Sequence, residues 1–213
     1  MFYLDSRHVY RLTEWDAFEW LVYGFGTRLS DIPARFPHLA TLRQVHSAAC
    51  VAAEGRAGVL GTGDALLENT PGAVVAVRTA DCIPILLVDQ RTRAVAAVHA
   101  GWRGTVAGIA ASAVAAMRGR FGSAPADLHA AIGPGIGKCC YEVGPEVAAR
   151  FGEPGRAHID LPGANRRQLI EAGVTARRIY ASNLCTMCRP EEFHSFRRDK
   201  EAAGRLHSFA GIR

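Results

Sequence analysis

Three apolar runs in the middle of the chain predict buried strands. They are AVVAVR (73–78), IPILLVD (83–89) and AVAAVHA (94–100). Because both alternating sets of positions are apolar, each strand is expected to be covered on both faces, as in the centre of a sheet. The connection QRTR (90–93) is short enough to close a hairpin between the second and third runs.

A helix is predicted directly after the third strand. Thr105 is a good N-cap residue, and the following VAGIAASAVAAMRGRF (106–121) carries apolar side chains at helical spacing. His99 lies at the end of the strand that leads into this helix. The helix N-terminus would direct free N–H groups and a positive dipole end toward the surroundings of His99, which favours an anion site there.

The remaining patterns complete a single α/β domain over residues 1–213. Helices are predicted at 145–151 and 165–172 and a strand at 177–182, whereas the turn formers in FGEPGRAHIDLPGAN (151–165) predict a surface loop. A hairpin beside strand–helix–strand segments favours a mixed central β-sheet with helices packed outside.

The composition indicates a globular protein without a membrane-spanning segment. A hydrophobic fraction of 49% and a charged fraction of 21% are typical of a globular domain. No run approaches the roughly 20 apolar residues of a membrane span, and the first residues, MFYLDSRHVYRLTEWDAFEW, lack an apolar signal core. We therefore expect a cytoplasmic protein without a membrane partner, and its six cysteines are expected to be reduced thiols.

The charge of the chain does not indicate a nucleic-acid partner. The net charge is +5, but the basic residues are scattered arginines, and Lys138 and Lys200 are the only lysines. A compositional bias toward arginine explains this charge. Guanidinium groups still suit a small-molecule ligand that carries phosphate or carboxylate.

Three side chains are candidates for a metal site. Cys82 precedes the second predicted strand, His99 ends the third, and His46 lies in RQVHSAAC after a turn-rich segment. Two histidines and one cysteine form a three-ligand zinc set with an open fourth position, which is typical of catalytic zinc. The residues by themselves leave open the alternative that His99 is a hydrogen-bonded core histidine.

Two neighbours of these ligands are candidates for supporting roles. Asp81 adjoins Cys82, and its carboxylate suits a general base or a group that orients a ligand histidine. The alternative for Asp81 is a turn residue at the strand start. Arg103, just past His99, is placed to hold a phosphate at the helix N-terminus, although GWRG also fits a tight turn.

Four further cysteines have no clear metal-binding pattern. Cys185 and Cys188 form C-x-x-C, but no second C-x-x-C completes a four-thiolate site, and we interpret them as small buried residues. The adjacent Cys139 and Cys140 are expected to pack beneath the glycine turn GPGIG that precedes them. This turn lacks the Gly-Lys-Ser/Thr ending of a P-loop.

Several motifs together resemble the YfiH family, also labelled laccase-domain or multicopper polyphenol oxidase proteins. They are RQVHS, GDALLENTPG, TADCIPILLVD, AVHAGWRGT, AIGPGIGKCCYEVG, NLCTMC and FHSFRRDK. They follow the family's order, and the resemblance runs from about Gly24 to Ser208. The resemblance implies a layered α/β sandwich and places the family's metal site on His46, Cys82 and His99.

The resemblance also implies a zinc-dependent purine nucleoside phosphorylase that cleaves adenosine, inosine or methylthioadenosine with phosphate, together with adenosine deaminase activity. Arg28 matches the family's Thr-Arg element, and Arg197 and Arg198 match its Arg-Arg element, so these arginines are candidate substrate contacts. With Arg103 they complete the predicted substrate-binding set, and the catalytic set is Cys82, His99 and Asp81.

The chain departs from the family pattern near its N-terminus. Tyr23 replaces the histidine that usually precedes Gly-Phe, and Leu29 and Ser30 replace a Gly-Gly pair. These two changes put in doubt how the N-terminal loop closes over the substrate. A third departure, DALLE in place of DALVT, is expected to affect only a surface turn.

Alternative functions follow from the same residues. A blue-copper oxidase is not supported, because the chain contains no His-x-His pair, although copper is compatible with a nitrogen and sulfur site. A second hypothesis is a metal-independent hydrolase with Cys82 as nucleophile and His99 as base, which the family resemblance connects with the editing of peptidoglycan precursors. A third is a non-catalytic zinc-containing binding protein. The sequence leaves the oligomeric state open.

Overall fold

The structure is a computed structural model that describes residues 1–213, and fifteen strands make up most of its ordered frame. In chain order the strands are β1 (Phe2–Leu4), β2 (Val9–Leu12), β3 (Leu21–Gly26), β4 (Ala40–Arg43), β5 (Cys50–Ala52), β6 (Gly58–Thr62), β7 (Ala65–Glu68), β8 (Val74–Thr79), β9 (Ile83–Asp89), β10 (Ala94–Ala100), β11 (His129–Ile132), β12 (Glu142–Val143), β13 (Ala157–His158), β14 (Ile179–Ala181) and β15 (Leu206–Ile212).

Six α-helices and five short 3-10 helices connect the strands. The α-helices are α1 (Ile32–Arg35), α2 (Trp102–Val106), α3 (Ile109–Phe121), α4 (Pro145–Ala148), α5 (Leu161–Glu171) and α6 (Phe196–Asp199). The 3-10 helices are Thr13–Trp15, Pro125–Asp127, Ala149–Phe151, Ala176–Arg178 and Lys200–Ala202.

The strands form two large mixed sheets and one small one. The seven-stranded sheet has the order β1-β2-β3-β15-β8-β4-β6, and the six-stranded sheet has the order β14-β11-β9-β10-β7-β5. Each large sheet combines antiparallel pairs with parallel pairs, such as β4 with β8 and β5 with β7. The strands β12 and β13 form a separate antiparallel pair.

The two large sheets pack face to face around a shared apolar core. Phe25 and Val77 of the seven-stranded sheet belong to the same buried cluster as Leu86 and Ala97 of the six-stranded sheet. Helices α3 and α5 cover the opposite face of the six-stranded sheet, where Met117 is buried. Fully burying such an aliphatic side chain contributes about 1.5–3 kcal/mol, so both faces of this sheet stabilise the fold.

The mixed α/β class predicted from the sequence is confirmed, and the structure adds that the apolar runs are divided between two sheets. Strand β8 lies in the seven-stranded sheet, while β9 and β10 are central in the six-stranded one. An apolar run indicates that a strand is covered on both faces, but the run does not indicate which sheet contains the strand.

The predicted hairpin is confirmed. Strands β9 and β10 pair antiparallel, and His99 lies opposite Pro84 in the register. All residues of both strands are buried. The pairing brings the start of β9, immediately after Cys82, to the same end of the hairpin as the end of β10.

The predicted start of the helix at Thr105 is wrong. A short helix, α2, already begins at Trp102. The helical conformation is interrupted at Gly108, whose φ of +81° is left-handed, before α3 begins. Thr105 is buried inside α2, and its hydroxyl accepts a hydrogen bond of 3.0 Å from Asn165 Nδ2. Thr105 therefore links α2 to α5 instead of capping a helix.

The interpretation of 151–165 as a loop is only partly correct. Helix α5 begins at Leu161, where Asp160 caps it by accepting a 2.9 Å hydrogen bond from the Gly163 N–H. Pro162 marks a turn in a sequence pattern, but proline is tolerated in the first turn of a helix because its missing N–H has no partner there. The predicted helix at 145–151 is divided between α4 in its first half and a 3-10 helix in the rest. Strand β14 is shorter than the strand predicted at 177–182.

No helix is long and apolar enough to cross a membrane. No disulfide joins any of the six cysteines in the structure.

Candidate metal centre

His46, Cys82 and His99 come together at one end of the β9–β10 hairpin. Their nitrogen and sulfur ligand atoms all lie within 4.8 Å of one another, and Cys82 Sγ is 3.9 Å from His46 Nε2. The two imidazole rings meet edge to face, with 4.9 Å between their centroids. The three residues predicted to bind a metal therefore form one compact cluster.

A buried carboxylate, Asp64, organises this cluster. Asp64 Oδ1 lies 2.8 Å from His99 Nδ1 and accepts a 3.0 Å hydrogen bond from the His46 N–H. Its other oxygen accepts hydrogen bonds from the backbone and hydroxyl of Ser47, at 2.6 and 2.7 Å. These bonds hold the loop after β4 in place, including the left-handed backbone of His46, with φ of +61°.

The donor set fits a metal ion such as zinc. A hydrogen bond from His99 Nδ1 to Asp64 leaves Nε2 for a metal, as is usual for metal-bound histidines. The adjacent Gly101 leaves the necessary space, since an added Cβ there would lie 2.7 Å from His46 Cδ2 and 2.9 Å from Cys82 Sγ. Two imidazoles and one thiolate leave a position open for another ligand.

The same contacts change the pKa values of the cluster. Burial raises the pKa of Cys82, but hydrogen bonds and charge interactions with His46 and His99 lower it more, to about 6. Burial lowers the pKa of His99, but Asp64 and Cys82 raise it more, to about 9. At neutral pH the metal-free cluster thus contains a thiolate beside an imidazolium.

This ionisation predicts the pH dependence of Cys82 alkylation. In metal-depleted protein, the rate with iodoacetamide should rise with a midpoint near pH 6 and level off above it, because the thiolate is the nucleophile. Cys50 is an internal control, since burial raises its pKa to about 11. Peptide mass spectrometry follows each cysteine separately. A Cys82 midpoint near the ordinary thiol pKa of about 8.5 would contradict the expected ionisation.

The cluster opens into a cleft of about 670 Å³, which is within the usual size range of small-molecule sites. Of the predicted site residues, Asp81 and Arg197 line this cleft together with the three metal-ligand candidates. Three cationic residues that the sequence reasoning missed also line it: Arg78, Lys200 and Arg205.

Two of these missed cations have no partner within the protein. The guanidinium of Arg78 and the ammonium of Lys200 make no hydrogen bond or ion pair, whereas Arg205 donates to the carbonyl oxygens of Ala203 and Gly204. Gln44 holds the backbone of Arg78 through a pair of hydrogen bonds of 2.7 and 2.8 Å. Arg78 and Lys200 therefore bring to the cleft two positive charges that no ion pair neutralises, which suits an anionic ligand.

Asp81 does not orient a ligand histidine, which was one of its two predicted roles. Its carboxylate accepts 2.6 Å hydrogen bonds from Thr186 Oγ1 and from the Arg197 N–H, while Asp64 contacts His99. The left-handed φ of +88° at Asp81 is unfavourable for a side chain with a Cβ, so these bonds hold a strained turn beside Cys82. Asp81 thereby attaches α6 to the floor of the cleft.

Three predicted substrate-binding arginines do not line the cleft. Arg28 Nη1 donates to Pro190 O at 2.6 Å, and Arg103 stacks over Trp102. Arg198 donates to three carbonyl oxygens and forms an ion pair with Asp199 at 2.8 Å. Arg28 and Arg198 thus tie chain segments together, and only Arg197 of the predicted set reaches the cleft.

Two aromatic side chains at the cleft also escaped the sequence reasoning. Tyr141 lies beneath Arg197, whose guanidinium carbon is 5.3 Å from the ring centroid, and Phe196 is 42% exposed. Phe196 therefore offers an apolar ring to a ligand in the cleft. Both residues belong to motifs of the resemblance, since Tyr141 is the tyrosine of CCYEV and Phe196 the phenylalanine of SFRR, and this is the one pattern that could have indicated them.

The interpretation of Cys185 and Cys188 as small buried residues is wrong. Cys188 and Cys139 are exposed, and Cys140 and Cys185 are half-buried. The adjacent cysteines of the glycine turn and the C-x-x-C pair meet in space, although about 45 residues separate them in sequence.

Comparison with known proteins places the chain in a family of enzymes. The sequence profile of the family described as Multi-copper polyphenol oxidoreductase laccase matches residues 28–213. The purine nucleoside phosphorylase of Deinococcus radiodurans is 42% identical over 183 residues, which are 81% of this chain and 70% of that protein. Adenosine deaminase RL5, from an unknown prokaryotic organism, is 43% identical over 163 residues, 70% of this chain and 61% of that protein.

The fold matches solved structures over its whole length. The crystal structure of the Bacillus licheniformis hypothetical protein YfiH covers 100% of this chain and 99% of its own, with a TM-score of 0.89 and 30% sequence identity. The chain spans less than two thirds of the length of the RL5 protein, so the sequence match to that relative is partial.

Proposed function

Because the chain belongs to the multi-copper polyphenol oxidoreductase laccase family, we propose that it is a zinc-dependent purine nucleoside phosphorylase that also deaminates adenosine. The observation that carries this proposal is the cluster of His46, Cys82 and His99 in a cleft with unpaired cations. The names of two relatives, a purine nucleoside phosphorylase and an adenosine deaminase, support the same substrate class.

The donor set favours zinc as the metal. Two imidazoles and a thiolate with an open position are a common catalytic zinc set, and the chain lacks the His-x-His pairs of multicopper oxidases. Copper is compatible with the same ligands because its intrinsic affinity is higher. When bound, the zinc ion supplies Lewis-acid chemistry at the floor of the cleft.

The cationic residues of the cleft account for the phosphate requirement. Arg78 and Lys200 have no partner within the chain, so they are available to hold a phosphate dianion. In phosphorolysis a phosphate oxygen bonds to C1′ of the ribose while the bond from C1′ to the purine nitrogen breaks. The base leaves with a proton, and the products are free purine and ribose 1-phosphate. Holding phosphate near C1′ removes much of the entropy cost of this step.

Aromatic and acidic residues of the cleft support the binding of a nucleoside. Phe196 presents an exposed ring to the cleft, on which a purine base is able to stack. Asp81 lies in the same cleft with its carboxylate held by Thr186 and Arg197. Proton transfer by Asp81 stays a prediction, as do direct catalytic roles for Cys82 and His99.

An adenosine turnover assay tests the proposal. Purified, zinc-loaded protein should release adenine and ribose 1-phosphate from adenosine only when phosphate is present, and it should form inosine without phosphate. Arg78→Ala should raise the KM for phosphate about tenfold, since one charged contact contributes about 1.4 kcal/mol, and should leave inosine formation nearly unchanged. Chromatography resolves the products.

Arg118→Ala is the matched control, because Arg118 is an exposed arginine of α3 outside the cleft. Its KM for phosphate should equal that of the wild type. No consumption of adenosine, inosine or methylthioadenosine by zinc-loaded protein would refute the purine assignment. An unchanged KM for Arg78→Ala would refute the assigned phosphate position alone.

The ionisation of Cys82 favours one second candidate function. A thiol with a pKa of about 6 beside two imidazoles suits a nucleophilic hydrolase acting on peptidoglycan precursors. Such a hydrolase would work without metal, so its activity should survive a chelator that removes the ion from the cleft. The cytoplasmic location and the absence of a nucleic-acid partner stay predictions.

A further inference from the structure

A second group of possible metal ligands lies apart from the cleft cluster. The sulfur atoms of Cys139, Cys140, Cys185 and Cys188 all lie within 4.8 Å of one another. Cys188 Sγ is 3.3 Å from Cys140 Sγ and 3.7 Å from Cys139 Sγ. None of these residues belongs to the group formed by His46, Cys82 and His99.

We propose that these four cysteines bind a structural zinc ion. Zinc binds thiolates at about 2.3 Å, and four sulfurs at the corners of a regular tetrahedron of that size are about 3.8 Å apart. Two sulfur separations in the structure, 3.3 and 3.7 Å, lie slightly below this value, and all four sulfurs lie within 4.8 Å of one another. Four protein ligands also close the coordination sphere, which is typical of structural zinc and distinguishes this site from the open cleft cluster.

Backbone contacts hold the two cysteine segments next to each other. A parallel bridge joins Gly135 to Cys185, and the Thr186 N–H donates to Gly135 O at 3.0 Å. The Gly137 N–H points at Cys185 Sγ, with a nitrogen–sulfur distance of 3.3 Å. Such N–H donation stabilises a thiolate, because the sulfur carries the negative charge.

Gly137 also makes room for the sulfurs. A Cβ at this position would lie 3.2 Å from Cys139 Sγ and 3.3 Å from Cys185 Cβ, closer than side chains normally approach. The glycine turn that the sequence left without a chemical role therefore has a specific purpose. It lets the adjacent Cys139 and Cys140 turn toward the C-x-x-C pair.

The charge at the site also fits a metal thiolate group. Four thiolates and one Zn²⁺ carry a net charge of −2, and exposure of Cys139 and Cys188 keeps part of this charge in water. Lys138, next to Cys139, adds positive charge on one segment, whereas Arg189, next to Cys188, forms an ion pair with Glu192 at 3.3 Å. The nearest sulfur pair is well beyond the S–S bond length of about 2.05 Å, so no disulfide competes in the structure.

The zinc ion would fasten two segments that shape the cleft. Tyr141 directly follows Cys140 and lines the cleft, and Thr186 between the other two cysteines donates to Asp81. Arg198 also donates to the carbonyl oxygens of Thr186 and Met187. Zinc binding by these cysteines is independent of the reaction proposed for the cleft.

Metal content measured under reducing conditions tests the proposal. Wild-type protein purified without chelator should contain about two zinc ions per chain, and Cys188→Ser and His46→Ala should each contain about one. Cys50→Ala, which removes a half-buried thiol outside both groups, is the matched control and should keep both ions. In the His46→Ala background, bound cobalt(II) should show the intense sulfur-to-metal absorption of a four-thiolate site.

Thermal unfolding provides a second measurement in case one variant folds poorly. Cys188→Ser should lower Tm by about 5 °C or more, since a ligand that binds only the folded chain stabilises it. The wild-type thiols of this group should resist a thiol reagent until a strong chelator is added. One zinc ion per chain in both the wild type and Cys188→Ser would overturn the proposal, as would iron in place of zinc or a disulfide between Cys140 and Cys188 in reduced protein.

Discussion

Replacing Cys82 with alanine is expected to abolish nucleoside turnover. The thiolate is one of the three side chains that form the candidate metal cluster, and its loss should remove the ion from the cleft. Lewis-acid stabilisation of a transition state is worth several kcal/mol, and a loss of about 4 kcal/mol lowers kcat/KM about 1,000-fold. Steady-state kinetics and metal analysis of the same preparation measure both effects.

The controls separate a ligand role from a nucleophilic role for Cys82. Cys50→Ala should retain full activity, because Cys50 lies outside the cleft lining. If Cys82 binds metal, chelation of the wild type should reproduce the variant's defect, and added zinc should reverse it. An enzyme that keeps its activity after losing the cleft metal, but not after Cys82→Ala, would instead support the nucleophilic hydrolase.

Replacing Asp64 with asparagine is expected to cause the largest loss of stability among single changes near the cleft. Asp64 is fully buried and bonded to His99, His46 and Ser47. An amide would turn one acceptor into a donor facing N–H and O–H donors. Removing one partner of a buried ion pair costs about 3–5 kcal/mol, and loss of a histidine-orienting group lowers metal affinity about 10–100-fold.

The stability difference between wild type and Asp64→Asn should depend on pH. Burial raises the pKa of Asp64, but hydrogen bonds from His99 and Ser47 lower it more, well below its ordinary value of 3.8. The ionised carboxylate therefore stabilises the fold fully above the unfolded-state pKa of about 3.9, and this contribution is lost as the pH falls toward the folded-state pKa. Urea unfolding across the acidic range should show the difference shrinking.

Asp89→Asn is the matched control for this change. Asp89 is equally buried and accepts hydrogen bonds from Arg91 and Thr92, but it lies at the opposite end of β9 from Cys82. This variant should lose stability while its cleft keeps normal metal affinity. Equal metal affinity in Asp64→Asn and the wild type would show that Asp64 does not position His99.

The cluster of His46, Cys82 and His99 was predictable because the chemistry of these side chains is unusual for their surroundings. A cysteine and a histidine at the ends of two apolar runs, together with the motif resemblance, indicated a shared metal. Asp64 was not predictable in the same way. It lies within GDALLENTPG, a quoted motif of the resemblance, but nothing in that pattern shows that the carboxylate is buried against His99.

The arginines illustrate a limit of motif matching. Arg28 and Arg198 occupy matching positions, yet their guanidinium groups bind backbone carbonyl oxygens away from the cleft. Arg78 belongs to an apolar strand and carries no motif for phosphate binding, but its side chain lines the cleft. Where a long side chain points depends on its three-dimensional neighbours, which a linear pattern does not contain.

Side-chain polarity along the chain was enough to predict that three central segments are buried strands, that two of them form a hairpin, and that His46, Cys82 and His99 are candidate metal ligands. These properties depend on side-chain polarity and on neighbours close in the chain. The three-dimensional arrangement was needed to show how the strands divide between two sheets, which carboxylate holds His99, and that four separated cysteines meet. Each of these depends on contacts between distant segments, whose closure reflects the packing of the whole core.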